Sequence, residues 1–171
     1  MKEYPAVVWF TGLSGAGKTT LAEKLISYLQ QNDIKCELLD GDIVRDIFPR
    51  TGFSEAERNE HIKRMGFLAS MLEKHGVLVV ASFISPYRES RNFVRRMCKK
   101  FVEIYVSTPL SVCEKRDVKG LYKKARNGGV SSFTGIDSPY EVPENPELTI
   151  DTSSESVEKS FQKLLDYLNL R

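Results

Sequence analysis

Residues 12–19 constrain this chain more than any other segment, because they read Gly-Leu-Ser-Gly-Ala-Gly-Lys-Thr, the G-x-x-x-x-G-K-S/T pattern of a phosphate-binding loop. A β-prone apolar run precedes the loop, and leucines at positions 21, 25 and 29 predict a helix after it. This placement disfavours the alternative, a glycine-rich turn with no ligand. The pattern predicts that the chain binds a nucleoside triphosphate through Gly12, Leu13, Ser14, Gly15, Ala16, Gly17, Lys18, Thr19 and Thr20.

Physical chemistry explains why these residue types form such a site. The glycines let backbone N–H groups point at phosphate oxygens, and the N-terminus of the following helix adds the positive end of a dipole. Lys18 can reach the β- and γ-phosphates, and the hydroxyl of Thr19 can bind Mg²⁺. We therefore predict Mg²⁺ as a cofactor, with Thr19 as its protein ligand.

Composition limits what else the chain does. Its 171 residues, 41% of them hydrophobic, predict one domain over residues 1–171. A net charge of +2 favours neither a nucleic-acid partner nor a membrane surface, and the longest apolar stretch, residues 77–81, is too short to cross a bilayer. Residues 1–5 do not begin a signal peptide, and the three cysteines are scattered without metal-ligand spacing. We expect reduced thiols and a cytoplasmic location.

Apolar runs alternate with helical periodicity, which is typical of a parallel sheet flanked by helices. We predict a three-layer α/β sandwich with a five-stranded parallel sheet. The resemblance of the phosphate-loop segment to small P-loop kinases implies the strand order 2-3-1-4-5. The predicted strands are 6–11, 36–39, 77–81, 101–106 and 148–150. The first two predicted helices are 18–31 and 43–48. A capping box at Ser54 and Glu57 opens the third, which ends at 75–76, and Ser85 is the predicted N-cap of the fourth, which runs from Pro86 to about 99. Helical segments up to residue 126 and a helix at the C-terminus complete the prediction. Residues 127–147 are predicted to be a long loop, and long loops in compact domains are usually functional.

Two carboxylates, Asp40 and Asp42, flank a glycine at the end of the second predicted strand. Open α/β sheets bind their ligands at the carboxyl ends of strands, so both residues are expected across a crevice from Lys18. A carboxylate there can hold Mg²⁺ through water, or orient and deprotonate an attacking hydroxyl. The alternative is an ordinary Asp-Gly turn.

Basic residues form three groups: Arg45, Arg50, Arg58, Lys63 and Arg64; Arg88, Arg91, Arg95 and Arg96; and Arg116, Lys119, Lys123, Lys124 and Arg126. About half of such residues are expected on solvated helix faces. The others would converge on one crevice, because an enzyme that holds a triphosphate and a second anionic substrate needs several cations there.

Five further segments, in this order along the chain, are more specific for a single protein family than the phosphate loop is. They are Asp40-Gly41-Asp42 with Arg45, Gly52-Phe53-Ser54 with Arg58, residues 84–88, residues 116–126, and residues 133–137. With these segments the chain closely resembles the adenylyl-sulfate kinases, which phosphorylate the 3′-hydroxyl of adenosine 5′-phosphosulfate. The resemblance runs from about residue 9 to residue 152. No sulfurylase-like extension is present, so the resemblance implies a stand-alone kinase.

The resemblance implies roles for particular residues, with ATP and adenylyl sulfate as substrates. Asp42, Lys18 and Ser85 would be catalytic. The region of Lys119 would be a mobile lid, and Phe133 would stack on the substrate adenine. The residues implied to bind adenylyl sulfate are Asp42, Arg45, Phe53, Arg58, His61, Ile84, Ser85, Lys119, Phe133, Thr134, Gly135 and Ile136.

Two aromatic residues of this set, Phe53 and Phe133, are not part of the apolar periodicity of any predicted helix or strand. We therefore expect Phe53 and Phe133 to be at least half exposed in the free protein, where they would enclose the adenine. The alternative is that Phe133 anchors its loop in the core.

Three positions depart from the family or have an open role. His61 stands where the family usually has an asparagine; a neutral imidazole can still donate one hydrogen bond, whereas a protonated one adds charge. A helical histidine without a chemical role is the alternative. Val118 replaces the usual proline, which predicts a looser lid. Ser85 is either a phosphoserine intermediate or a cap that also binds the ligand. No general base is evident beside it, so direct phosphoryl transfer is favoured.

Two rival functions stay open. One is another kinase for a nucleoside or nucleotide, which would not require the segment 133–137. The other is a non-catalytic nucleotide-binding module, against which the intact Lys18, Thr19 and Asp42 argue. The sequence leaves the oligomeric state undecided, with a homodimer as one option.

Overall fold

The computed structural model describes residues 7–48 and 52–170, apart from the side chains at positions 45 and 46. Over these residues the strands are β1 (Val7–Thr11), β2 (Cys36–Asp40), β3 (Leu78–Ser82), β4 (Phe101–Val106) and β5 (Leu148–Ile150). The helices are α1 (Lys18–Gln31), α2 (Gly41–Ile47), α3 (Glu55–Lys74), α4 (Arg88–Met97), α5 (Leu110–Arg116), α6 (Leu121–Arg126) and α7 (Val157–Tyr167).

The five strands form one parallel sheet in the order β2-β3-β1-β4-β5, which confirms the predicted fold class and strand order. β1 lies at the centre, and Trp9 pairs in register with Ala81 of β3 and Glu103 of β4. Because side chains alternate between the two faces of a strand, β1 contributes to two separate cores. Val8 and Phe10 point to one of them, whereas Val7 and Trp9 point to the other.

Helices cover both faces of this sheet. Leucines at positions 21, 25 and 29 of α1 and at 164 and 165 of α7 pack in the core that contains Phe10. α3 and α4 cover the opposite face, where Met65 and Val94 pack in the core that contains Trp9. The molecule therefore has three layers, with the phosphate loop at the edge where the central strand ends. In the part of the chain that the structure describes, no helix is both long and apolar enough to cross a membrane.

Several predicted element boundaries are confirmed. α1 spans the predicted residues, and α3 opens with the predicted capping box, in which Ser54 Oγ accepts from the backbone N–H of Glu57 and the Glu57 carboxylate accepts from the Ser54 N–H. Residues 127–147 form a long connection that contains only an isolated bridge between Thr134 and Ser138.

Two predicted helix starts are wrong. α2 begins at Gly41 instead of residue 43, because Asp40 acts as its N-cap and accepts from the backbone N–H of Asp42 (3.0 Å). α4 begins at Arg88 instead of Pro86, with Tyr87 in extended conformation as its N-cap. Ser85 has a φ of +38° and does not cap a helix.

Candidate active site

The loop between β1 and α1 has the backbone that a phosphate group requires. Gly12 has a φ of +150°, and a Cβ there would lie 2.5 Å from the carbonyl oxygen of Val106, so a larger residue does not fit. Gly17 is the left-handed N-cap of α1 (φ +104°), and no side chain caps the helix. The first N–H groups of α1 therefore lack a capping side chain, which is the arrangement that binds anions at a helix N-terminus.

Lys18 folds its side chain back over this loop. Its Nζ donates to the carbonyl oxygens of Gly12 (2.9 Å) and Leu13 (2.7 Å). The side chain is buried, and burial lowers the pKa of Lys18 to about 8. A bound phosphate would bring the negative charge that stabilises this ammonium group.

Three oxygen-bearing side chains meet beside Lys18 at the C-terminal edge of the sheet. Thr19 Oγ1 donates to Asp40 Oδ2 (3.3 Å) and lies 3.4 Å from Ser82 Oγ. Mg²⁺ prefers oxygen ligands and is usually bound through one or two protein groups together with substrate phosphates and waters. No group of three or more His, Cys, Asp or Glu side chains that could hold a metal occurs among the described residues. The donor set thus fits an ion shared between protein and nucleotide.

A cavity of about 840 Å³ opens over the loop. Its walls are the phosphate loop, the ends of β2 and β3, the first half of α3, and residues 116–119 and 130–133. Most of the predicted site residues line it, namely Ser14, Gly15, Gly17, Lys18, Thr19, Thr20, Asp42, Phe53, Arg58, His61, Ile84, Ser85, Lys119 and Phe133. Predicted nucleotide and acceptor residues therefore share one space.

Other predicted residues lie behind the cavity wall. Gly12 and Leu13 hold Lys18 through their carbonyl groups, and Ala16 is fully buried. Residues 134–136, which are predicted to bind adenylyl sulfate, do not line the cavity. Thr134 is buried and accepts from Arg58, Gly135 (φ +92°) packs close to leucine side chains, and Ile136 packs against the core. In this conformation these three residues support the wall. The side chain predicted at Arg45 lies outside the described residues.

Asp42 faces the cavity from the first turn of α2. Its carboxylate accepts a hydrogen bond from Lys119 Nζ, which comes from the segment between α5 and α6. The side chains are 70% and 51% exposed, respectively. Exposed ion pairs are worth about 0–1 kcal/mol, so this pair can separate when a ligand competes for either partner.

Arg58 joins the start of α3 to the long connection. Its Nε donates to the Phe53 carbonyl (2.7 Å), Nη1 donates to Thr134 Oγ1, and Nη2 donates to the Ser132 carbonyl. Burial lowers the pKa of this guanidinium from its ordinary value. Because a guanidinium has five N–H groups, these bonds leave donors for an anion in the cavity.

The two phenylalanines differ in their environment. Phe53 is 57% exposed, as predicted, and the guanidinium carbon of Arg58 lies 5.7 Å from its ring centroid. The expected exposure of Phe133 is wrong, since it is only 9% exposed and makes an edge-to-face contact with Tyr122 at a centroid distance of 5.0 Å. His61 is also buried and contacts Phe83 edge-on. Phe133 is thus a loop anchor whose ring still reaches the cavity.

Ser85 is buried in a polar network. Trp9 Nε1 donates to Ser85 Oγ (3.2 Å), and Ser85 Oγ donates to Thr11 Oγ1 (3.0 Å). The single hydroxyl proton of Ser85 is therefore used within the protein, and its nearest polar partners are a donor and another hydroxyl. Among the residues that the structure describes, no general base contacts this hydroxyl, so the geometry favours a supporting role over that of a nucleophile.

The cavity also contains Ser82 and Thr152, which sequence reasoning missed, and Arg116, which it placed only among the basic residues. Thr152 Oγ1 donates to the Ala16 carbonyl (2.7 Å), and Arg116 donates to Thr152 Oγ1 (2.9 Å) and to its carbonyl (2.8 Å). These bonds hold the phosphate loop against the segment after β5. For Ser82, the last residue of β3, and Thr152, which follows β5, the position at the C-terminal end of a strand was the available signal.

The basic residues divide between the cavity and ion pairs outside it. Lys18, Arg58, Arg116 and Lys119 line the cavity. The group on α4 instead pairs with glutamates, since Arg88, Arg91 and Arg95 bind carboxylates of Glu144, Glu103 and Glu147. Of the three basic groups, Arg58 from the first and Arg116 and Lys119 from the third line the cavity, which among the described residues is fewer than the expected half.

Comparison with known proteins agrees with this geometry. The family model for adenylylsulphate kinase matches residues 4–151. A protein of Gloeothece citriformis named adenylyl-sulfate kinase is 51% identical over 170 residues, which are 99% of this chain and 97% of that protein.

Solved structures give the same result. The Mycobacterium tuberculosis APS kinase CysC in complex with AMPPNP and APS is 40% identical, with a TM-score of 0.92, and the match covers 98% of this chain and 99% of that one. The hexameric APS kinase from Thiobacillus denitrificans is 37% identical with a TM-score of 0.72, over 95% of this chain and 28% of that one. The chain belongs to the adenylylsulphate kinase family.

Proposed function

We propose that this chain transfers the γ-phosphoryl group of ATP to the ribose 3′-hydroxyl of adenosine 5′-phosphosulfate (APS), giving 3′-phosphoadenylyl sulfate and ADP. Such a reaction activates sulfate for assimilation. The observation that carries the proposal is the single cavity in which the Lys18 phosphate loop and the Asp42 carboxylate lie together. Membership of the family and the relatives named adenylyl-sulfate kinase support the choice of APS as the acceptor.

The phosphate loop forms the ATP half of the site. Backbone N–H groups of the loop and of the first turn of α1 bind the phosphates, and Lys18 exchanges its two carbonyl partners for phosphate oxygens. As charge builds up on the leaving oxygen, the buried ammonium group stabilises it. Thr19, with Asp40 beside it, would hold Mg²⁺, which would supply further charge neutralisation on the phosphates.

The opposite wall forms the acceptor half. Asp42 orients the 3′-hydroxyl and accepts its proton as that oxygen bonds to the γ-phosphorus and the bond from this phosphorus to the β,γ-bridging oxygen breaks. Lys119 releases its hydrogen bond to Asp42 and binds anionic groups of the substrates. Arg58 uses its remaining donors for the phosphosulfate, and the exposed Phe53 packs against the adenine.

Two further features belong to this proposal. A cytoplasmic location is consistent with free thiols at Cys36, Cys98 and Cys113, because disulfides are rare in that compartment.

A homodimer is the proposed assembly. Sedimentation equilibrium tests it by comparing the mass in solution with the chain mass of 19.4 kDa. A species of twice that mass supports the dimer, and a monomer contradicts it.

A panel of acceptors tests the proposed reaction. The protein is incubated with ATP and Mg²⁺ and with APS, AMP, adenosine or CMP in turn, and nucleotides are separated by anion-exchange chromatography. We expect ADP and 3′-phosphoadenylyl sulfate with APS alone, and no product after EDTA is added. Lys18→Ala is the control and nearly abolishes turnover, since it removes a charge that bridges the leaving and transferred phosphates.

Each of the other outcomes contradicts the proposal in a different way. Turnover of AMP or CMP without turnover of APS would identify another nucleotide kinase. ATP binding without product from any acceptor would identify a non-catalytic module.

A further inference from the structure

A buried ion pair lies outside the cavity, between α4 and the centre of β4. Arg91 Nε is 3.0 Å from Glu103 Oε1, and the side chains are only 2% and 7% exposed. Desolvation makes such pairs poor sources of stability, since removing two charges from water costs several kcal/mol for each ion. The role of this ion pair in the structure is therefore indicated by the hydrogen bonds that Arg91 makes to other residues.

Arg91 uses its terminal nitrogens to hold two separate segments of main chain. Nη1 donates to the Ser85 carbonyl (2.5 Å), and Nη2 donates to the Glu141 carbonyl (2.6 Å). Ser85 belongs to the turn at the cavity wall, whereas Glu141 belongs to the long connection that also contains Phe133. One planar guanidinium, fixed by Glu103, thus joins the turn, the connection and the sheet.

The turn that Arg91 holds has a conformation that needs such support. Ser85 has a φ of +38°, in the left-handed region that residues with a side chain rarely adopt. From the sheet, Thr11 Oγ1 donates to the Ile84 carbonyl (2.8 Å). This bond uses the only hydroxyl proton of Thr11, so Tyr140 donates to Thr11 Oγ1 (2.9 Å). Two carbonyls of the turn are therefore fixed, one from β1 and one from α4.

We infer that Arg91 is a positioning residue for the acceptor substrate. It holds Ile84 and Ser85 on the cavity wall in a strained conformation and couples that wall to the connection through Glu141. This inference rests on the proposed function in one respect, namely that the wall formed by Ile84 and Ser85 borders the acceptor and not ATP.

Arg95 provides a matched control on the same helix. One turn after Arg91, it pairs with the same glutamate, at 3.2 Å from Glu103 Oε2, and also with Glu147. Its side-chain bonds go to these two carboxylates and to neither carbonyl that Arg91 holds. Loss of either arginine disturbs the ion pairs, whereas loss of Arg91 alone releases the turn.

The test compares Arg91→Lys with Arg95→Lys. A lysine at position 91 keeps the charge opposite Glu103 but has a single nitrogen, which cannot reach all three acceptors. We expect the KM for APS to rise by roughly tenfold in Arg91→Lys, the change expected when about one hydrogen bond's worth of binding is lost. The KM for ATP and the calorimetric ATP affinity stay within about twofold, and Arg95→Lys leaves both KM values unchanged.

Two results would overturn the inference. One is an Arg91→Lys protein whose KM for APS equals that of Arg95→Lys, even if its melting temperature falls; the other is an equal rise in the KM for APS and for ATP. If Arg91→Lys does not fold, Tyr140→Phe replaces it, because it removes only the hydroxyl that supports Thr11. A smaller rise in the KM for APS is then expected, and no change overturns the inference.

Failure of the proposed function gives a different pattern. If wild-type protein phosphorylates another acceptor from the panel, the same comparison is made with the KM for that acceptor. If no acceptor turns over, calorimetric APS affinity replaces KM. The inference is then overturned by equal APS affinity in Arg91→Lys and Arg95→Lys, or by no APS binding to wild type.

Discussion

At the scale of single residues, Lys18 is buried at a cost in stability that a bound ligand can offset. Its ammonium group is buried against two carbonyl oxygens, and this burial lowers its pKa from 10.5 to about 8. Since the folded chain binds this proton more weakly than the unfolded chain, the charged lysine destabilises the fold at neutral pH. The difference corresponds to about 3 kcal/mol, an amount that a bound triphosphate can return.

This pKa predicts how stability changes with pH. Below pH 8 both states carry the proton and the whole cost is present; as pH rises from about 8 toward 10.5 the folded state loses the proton first, and the cost disappears. Stability attributable to Lys18 therefore rises over this window. Lys18→Met should be more stable at pH 7, by up to about 3 kcal/mol, and should lack that rise.

Urea unfolding of both proteins from pH 6 to 10.5 measures the effect. Tyrosine titrations are common to both chains and cancel in the difference, whereas Cys113, whose thiol interacts electrostatically with Lys18, also contributes to it. A constant difference between the two stabilities across pH 8–10.5 would show that Lys18 titrates normally in the folded protein.

At the scale of elements, the two aromatic residues of the acceptor half belong to different kinds of structure. Phe53 directly precedes the capping box of α3 and remains exposed, whereas Phe133 packs against Tyr122 of α6. Tyr122 in turn donates to the carbonyl of Ser14 in the phosphate loop (2.9 Å). Phe133 therefore anchors the long connection to the nucleotide half of the site.

Alanine substitutions separate these two roles. Phe133→Ala should lower the free energy of unfolding by about 3–5 kcal/mol, as other buried phenylalanines do. Phe53→Ala should change it by about 0.5 kcal/mol or less and should raise the KM for APS, through about 1–3 kcal/mol of lost base stacking. Urea unfolding and initial rates on the same preparations give both numbers. A Phe133→Ala protein of wild-type stability with weakened APS binding would contradict the anchoring role.

The element boundaries show what sequence patterns can and cannot predict. The capping box of α3 is a local signal, and the structure confirms it. Ser-Pro at 85–86 is an equally local signal for a helix start, yet α4 begins at Arg88. The reason is tertiary: Trp9, Thr11 and Arg91, all distant or on another element, bind Ser85 and hold it out of the cap conformation. Phe133 was misjudged for the same reason, since Tyr122 covers it.

At the scale of the whole molecule, the parallel sheet does most of the positioning. Its strand order brings the ends of β1, β2 and β3 to one edge, so that Lys18, Asp40 and Ser82 meet there although they are far apart in sequence. That convergence follows from alternating strands and helices and could be predicted. The ion pairs that tie α4 to the long connection could not, because no local pattern specifies which glutamate meets Arg91.

Asp42→Asn tests the central claim, that this carboxylate acts on the acceptor hydroxyl opposite the phosphate loop. The substitution keeps the size and hydrogen bonding of the side chain but removes its basicity, and Asp33→Asn is a matched surface control because asparagine also tolerates its positive φ (54°). Turnover with saturating APS and calorimetric ATP affinity are measured for both. We expect kcat to fall about 10²–10⁴-fold in Asp42→Asn alone, with ATP affinity within about twofold of wild type. Loss of ATP binding with turnover per bound ATP preserved, or a kcat equal to that of Asp33→Asn, would contradict it.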